Sequence, residues 1–173
     1  FQGSVALETE TGEINFTAKH STGTVLVSEL LVLEKDKYYT VIAAGTEDNP
    51  VLLFNEIETA RPQSGQVRFE ILHSVLDQES IDVYMGGSTS DKRVISDLNY
   101  NRLSLPFEVV ESNARAAITV SAHSEEYNQD SILLTSVYNE EIVSGANYLS
   151  VVAPSAFDPE SELTFWLYAL PLD

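Results

Sequence analysis

The chain of 173 residues contains no cysteine, which excludes disulfide frameworks, thiol nucleophiles and zinc sites built on thiolates. Only nine basic residues face 27 acidic ones, so the formal net charge is −18. Nucleic acids and anionic membrane surfaces carry charge of the same sign and would repel the chain, so neither is expected as a partner. No run approaches the roughly 18 apolar residues that a membrane span needs, so no direct membrane insertion is expected.

Sustained helical periodicity is also missing, and strict alternation of apolar and polar residues takes its place. Val67, Phe69 and Ile71 share one face of a predicted strand, while Arg68 and Glu70 share the other. Short strands of this kind, separated by Gly, Asn, Asp and Pro clusters, are typical of an antiparallel β-sandwich with one solvated face per sheet. The hydrophobic share of 43% is enough for a packed core. The sequence therefore predicts an all-β fold.

Three segments of the chain recur in the same order further along it. The pairs are residues 14–19 with 118–123, 25–30 with 132–137, and 39–45 with 148–154. The spacing between segments drifts by a few residues, as loop insertions between fixed strands would require. The repeat predicts two units of one kind in tandem.

The two predicted units are unequal in length. Residues 61–65 form a short polar Pro/Gly stretch that we take as the linker, and residues 66–173 follow as a complete unit of about eight strands. Residues 5–60 hold only the last five strands of the first unit and lack counterparts of residues 66–98. Residues 1–4 are either a tag remnant or a native lead-in to a strand.

A half sandwich exposes its inner face and an unpaired strand edge, which is unstable in isolation. We therefore expect the open edge of the first unit to be completed by strand addition. Upstream residues, another copy of the chain or a different protein partner could supply the strand.

The run from residue 67 to 74, followed by Asp77 and then by residues 81–84, resembles a known family signature. It is similar to the bacterial and archaeal "domain of unknown function 4397" family, with its strand ending in His, its short turn and its Val-Asp-Val-Tyr strand. Residues 33–45 resemble the Tyr-Thr-Val strand of the same family, and the resemblance covers essentially everything from residue 5 onward.

The resemblance implies an immunoglobulin-like sandwich, usually in tandem, on exported proteins that often follow a secretion or lipoprotein signal. It therefore implies the periplasm, the cell surface or the extracellular space, and it implies no chemistry. The sequence departs from the family pattern in two places. The Pro of the turn is replaced in residues 74–77, and Pro154 stands where the first unit has Gly45.

His73 is the strongest candidate for catalysis, because Asp77 follows it at a distance where a carboxylate could hold a general base. The alternative is a structural histidine that ties down the loop by hydrogen bonds to backbone. The resemblance favours the structural role, and we expect His73, Asp77 and Asp82 to anchor this loop. No Gly-x-Ser-x-Gly elbow accompanies them, so no catalytic residue is assigned and no enzyme is expected.

Two further features suggest binding. Acidic clusters could hold calcium, but none has the spacing of a dedicated calcium loop, so no cofactor is assigned and calcium stays an alternative. They are Glu47-Asp48, Asp77-Gln78-Glu79 with Asp82, Glu125-Glu126 with Asp130, and Asp158 with Glu160 and Glu162. Trp166 and Tyr168 share a strand face and could stack on a sugar ring or anchor a protein partner. The competing interpretation is that a neighbouring unit or a second core covers both rings.

These observations favour a non-catalytic, exported module that acts in structure, adhesion or assembly. A module that binds polysaccharide or protein through Trp166 and Tyr168 is the first alternative. A calcium-stabilised extracellular domain is the second alternative.

Overall fold

A computed structural model describes residues 10–46, 48–124, 129–138, 141–154 and 163–172. The predictions for residues 1–4 lie outside the described residues. The same is true of six acidic residues considered above, which are Glu47, Glu125, Glu126, Asp158, Glu160 and Glu162.

The fold is all-β, as the alternating pattern predicts. The described residues form twelve strands: β1 (Gly12–Lys19), β2 (Val25–Leu33), β3 (Tyr39–Gly45), β4 (Pro50–Glu56), β5 (Gln66–His73), β6 (Ser80–Met85), β7 (Arg93–Asn99), β8 (Phe107–Val110), β9 (Ile118–Ala122), β10 (Ile132–Ser136), β11 (Asn147–Pro154) and β12 (Leu163–Leu170). The helical elements are α1 (Glu111–Ala116) and two 3-10 turns, Ser90–Lys92 and Gln129–Ser131. No helix in the described part of the chain has the length and hydrophobicity to cross a membrane.

The chain divides into two compact units. Unit 1 runs to Glu58 and unit 2 begins at Thr59. The described residues of unit 1 form two antiparallel hairpins, β1–β2 and β3–β4. Three of its apolar side chains, Leu31, Leu52 and Ile57, are buried.

Unit 2 contains two four-stranded sheets, with strand orders β10-β9-β6-β7 and β12-β11-β5-β8. Their facing side chains form one core, in which Val67, Phe69, Ile81, Ile118 and Val152 are fully buried. Among the described strands of unit 2, β5 and β11 are parallel to each other, and every other pair of neighbouring strands is antiparallel. The sequence pattern does not distinguish these two arrangements, since side chains alternate in both.

The prediction of one solvated face per sheet does not hold for the central strands of unit 2. Glu70 and Asp82 alternate with core residues along β5 and β6, yet they are only 3% and 0% exposed. At the edge of β5, Leu72 forms an isolated antiparallel bridge with Leu103, and the backbone N–H of Ser104 donates to the Ile71 carbonyl, so the chain already runs beside β5 before β8 begins. Positions that the alternation alone assigns to solvent are therefore buried in these central strands.

A tyrosine makes the same contact at the start of β3 in unit 1 and near the start of β11 in unit 2. The hydroxyl of Tyr39 accepts the Glu34 N–H at 3.1 Å, and that of Tyr148 accepts the Val143 N–H at 2.9 Å. Each donor lies five residues before its tyrosine. The β3–β4 hairpin therefore corresponds to β11–β12 in sequence, pairing and local contact.

Candidate functional site

His73 ends β5 and is fully buried, with its ring tied to the loop that follows. Its Nε2 lies 2.9 Å from the Gln78 carbonyl, and its Nδ1 accepts the Val75 N–H at 3.2 Å. Burial lowers the pKa of His73, and the hydrogen bond to Gln78 opposes that shift only in part. Asp77 is exposed, and both ring nitrogens of His73 are engaged by backbone groups instead. This geometry holds a loop and leaves no ring nitrogen for a substrate.

Asp82 lies at the centre of a polar network in the middle of β6. Its Oδ1 accepts the backbone N–H of Asp97 at 2.9 Å and lies 2.8 Å from His123 Nδ1. Its Oδ2 accepts from Arg93 Nη1 at 3.2 Å, and the same nitrogen reaches the Ser124 carbonyl at 3.3 Å. These contacts join β6 to β7 on one side and to the end of β9 on the other.

Hydrogen bonds keep the buried carboxylate charged. Burial by itself raises the pKa of Asp82, but the bonds from Asp97 N–H, His123 and Arg93 outweigh it and hold the pKa below its ordinary value. The hydrogen bond to Asp82 raises the pKa of His123. The second ring nitrogen of His123 lies 4.0 Å from the Asp97 carboxylate, which also favours the charged imidazolium. The two carboxylates therefore favour the charged imidazolium of His123, and the bond to Asp82 fixes the orientation of its ring.

The sequence alone does not link Asp82 to His123. The two residues are 41 positions apart, and the pairing follows only from the antiparallel register that sets Asp82 opposite Ser121. The alternation gives no sign of this pairing, because a carboxylate between Ile81 and Val83, two core positions, is assigned to the solvated face of the sheet.

Trp166 and Tyr168 lie on the outer face of β12, which is an edge strand of its sheet. They pair with Val151 and Leu149 of β11, and both rings are half-buried. The indole Nε1 of Trp166 is shielded from solvent and has no acceptor among the described residues. The indole N–H is therefore not accessible to a sugar hydroxyl in this conformation.

The described residues contain no group of three or more His, Asp or Glu side chains arranged to hold a metal ion. The sequence placed Asp82 in an acidic cluster with Asp77 and Glu79. In the structure its carboxylate contacts Arg93 and His123 instead.

The side of β3 that bears Tyr39 and Ala43 is more exposed than the equivalent side of β11 in unit 2. Tyr148 and Val152 of β11 are core residues, at 4% and 0% exposure, whereas their counterparts Tyr39 and Ala43 in β3 are half-buried and exposed. Phe54 stacks on Tyr39 with ring centroids 4.9 Å apart and is still 37% exposed. Leu52, which pairs with Ala43 on the same side, is buried. We call this partly exposed inner side of β3 and β4 the open face.

A cleft lies between the two hairpins of unit 1, bordering the open face. Ala18 and Val27 line it from the first hairpin, and Ala43, Ala44 and Pro50 line it from the second. Apolar side chains from both hairpins therefore border one space that is open to solvent.

Two strands of unit 1 also have open edges. In the described part of the chain, β1 pairs with β2 alone and β3 with β4 alone. Their counterparts in unit 2 each have two neighbours, since β9 lies between β10 and β6, and β11 lies between β12 and β5. Unpaired backbone N–H and C=O groups on such edges accept another strand readily.

Comparison with known proteins finds one family. Residues 2–84 match the family described as "Domain of unknown function (DUF4397)". The match takes in β1–β4 together with β5 and most of β6, and it ends well before the limit of the resemblance read from the sequence. No curated protein matches the chain significantly.

Proposed function

Because residues 2–84 of this chain belong to the DUF4397 family, we propose that it is a non-catalytic assembly module of an exported protein. In this proposal unit 1 docks other β-structure through its open face and open edges, and unit 2 serves as a preformed sandwich. The observation that carries the proposal is the contrast between Tyr39 and Ala43 in unit 1 and their buried counterparts Tyr148 and Val152 in unit 2. The export in this proposal rests on the family resemblance read from the sequence.

The absence of a catalytic role in the proposal rests on how the ionisable candidates are used. His73 is held by backbone groups on both ring nitrogens, and Asp82 is held by Arg93, His123 and a backbone N–H. Each side chain has its hydrogen-bonding capacity directed at the protein itself. Turnover of any substrate that depended on His73 or Asp82 would contradict the proposal.

Self-association of the whole chain gives a direct test, with light scattering used to measure mass as protein concentration rises. Another copy of the chain is the simplest available partner, and open apolar edges associate at high concentration. We expect masses above that of the 19.1 kDa monomer, and we expect Ala43→Lys to abolish the increase because it puts a charge on the open face.

The matched control is Val32→Lys, which adds the same charge to unit 1 at an apolar residue that is already 58% exposed. Its side chain lies on the opposite side of β2 from Leu31, a buried residue. Association should survive this change. A mass of 19.1 kDa at every concentration, with β1 and β3 amides as protected from hydrogen exchange as those of β9 and β11, would refute the assembly role.

A further inference from the structure

Unit 2 shows which strands occupy the positions left open in unit 1. There β5 lies beside β11 as a parallel neighbour and β6 lies beside β9 as an antiparallel one. The two strands are consecutive, so one segment of chain, residues 66–85, completes both sheets. Its loop crosses from one sheet to the other and is held by His73 through Val75 and Gln78.

The pairing of β5 with β11 fixes a register that can be transferred to β3. In unit 2, Phe69 pairs with Tyr148, and their rings stack with centroids 5.5 Å apart. Tyr39 is the counterpart of Tyr148 and makes the same hydroxyl contact, so an incoming phenylalanine in this register would face Tyr39. The residue after that phenylalanine, in the place of Glu70, would then pair with Thr40.

The family match points to the same kind of segment. It spans β1–β4 and continues through β5 to Tyr84 near the end of β6. The family thus joins four strands of the unit 1 kind and one β5–β6 segment in a single domain sequence. In this chain, however, the β5–β6 segment is built into unit 2.

We infer that unit 1 binds a β5–β6 segment of another unit of the same family, with its first strand parallel to β3 and its second strand antiparallel to β1. The inference rests on the proposed function and names the occupant of its docking surface. Apolar alternation in the segment, as in Val67, Phe69 and Ile71, would cover the open face. The aromatic residue at the position of Phe69 sets the register by stacking on Tyr39.

Disulfide trapping tests the register, because the chain has no cysteine of its own. The probe is a synthetic peptide with the sequence of residues 66–85 and Glu70→Cys, mixed with the whole chain carrying Thr40→Cys. Paired residues on neighbouring strands have Cα atoms about 5 Å apart, within the range that a disulfide bridges. We expect the mixed disulfide to form under mild oxidation.

Two controls separate specific docking from chance oxidation. Ile42→Cys in the chain moves the thiol two residues along the same face of β3, about 7 Å away and out of disulfide range. Phe69→Ala in the peptide should lower the yield about tenfold or more, because it removes the ring that faces Tyr39. Asp77→Ala in the peptide, at an exposed loop position, should leave the yield within about twofold.

Preferential trapping at Thr40 that depends on Phe69 supports the inference. Equal trapping at Thr40 and Ile42, trapping that ignores Phe69→Ala, or no trapping at all overturns it. If trapping fails while Ala43→Lys still abolishes self-association, the assembly role stands and only the identity of the occupant is wrong.

Discussion

Replacement of the buried carboxylate of Asp82 by an amide is the most informative perturbation of unit 2. Asp82→Asn keeps the shape of the side chain and an oxygen that can accept the Asp97 N–H. It removes the charge that faces Arg93 and His123 and sets an amide N–H₂ against one of these donors. The Asp82 side chain is 1% exposed, while those of Arg93 and His123 are 28% and 29% exposed.

The destabilisation caused by Asp82→Asn depends on how well Arg93 and His123 can be solvated once the carboxylate is gone. Hydrogen bonds to charged groups contribute about 1.5–3 kcal/mol each, and breaking a buried ion pair costs about 3–5 kcal/mol. Arg93 and His123 recover part of this loss by solvation, so we expect Asp82→Asn to lower the free energy of unfolding by about 3 kcal/mol. For a unit of this size that corresponds to a fall in Tm of about 10 °C.

The loss of unfolding free energy in Asp82→Asn should depend on pH, and the pKa shifts of Asp82 and His123 give the direction. The pKa of Asp82 is lowered, so its contribution is present above about pH 4 and disappears as the pH falls through the lowered value. The pKa of His123 is raised, so its contribution is complete below about pH 6.5 and is lost as the pH rises through the raised value. The cost of Asp82→Asn should therefore be largest between about pH 4 and 6.5 and smaller at either extreme.

Urea unfolding followed by the fluorescence of Trp166 measures this cost, because it is the only tryptophan and lies in β12 of unit 2. Asp77→Asn is the matched control: it makes the same chemical change at an exposed carboxylate, and its effect should stay within about 0.5 kcal/mol. A cost below about 1 kcal/mol at pH 6, or a cost that stays constant down to pH 2, would refute the reasoning.

Two further substitutions test the other buried polar contacts with the same fluorescence assay. His73→Phe leaves the Gln78 carbonyl and the Val75 N–H without their partner, so it should cost about 2–4 kcal/mol. Because burial lowers the pKa of His73, the unfolding free energy of the wild type falls as the pH drops below about 6.5. His73→Phe should remove this part of the dependence of stability on pH. An unchanged dependence would contradict the assignment of His73 as a buried neutral histidine. Tyr148→Phe removes a hydroxyl that accepts one backbone N–H and donates to a carbonyl, and it should cost about 1–2 kcal/mol. The same change at Tyr39 lies in unit 1 and should leave the Trp166 transition in place, so equal shifts for both variants would count against two separate units.

The sequence predicts the strands well and the polar contacts poorly. Alternation at residues 67–71 identifies β5 and its core face, because the period of side chains in a strand does not depend on the rest of the fold. The recurrence of Tyr39 as Tyr148 identifies equivalent strands for the same local reason, and each hydroxyl contact spans only five residues. By contrast, the partners of Asp82 come from β7 and from the end of β9, so they depend on strand order and register.

The sequence alone thus determined the all-β class, the strands, the repeat and the position of His73 at the end of a strand. These features depend only on short-range periodicity and local contacts. Tertiary structure alone decided the parallel pairing of β5 with β11, the burial of Glu70 and Asp82 on outward-facing positions, and the pairing of Asp82 with His123. The physical reason is that alternation specifies which side chains share a face, whereas the partner of a strand and the cover of a face are set by contacts between residues distant along the chain.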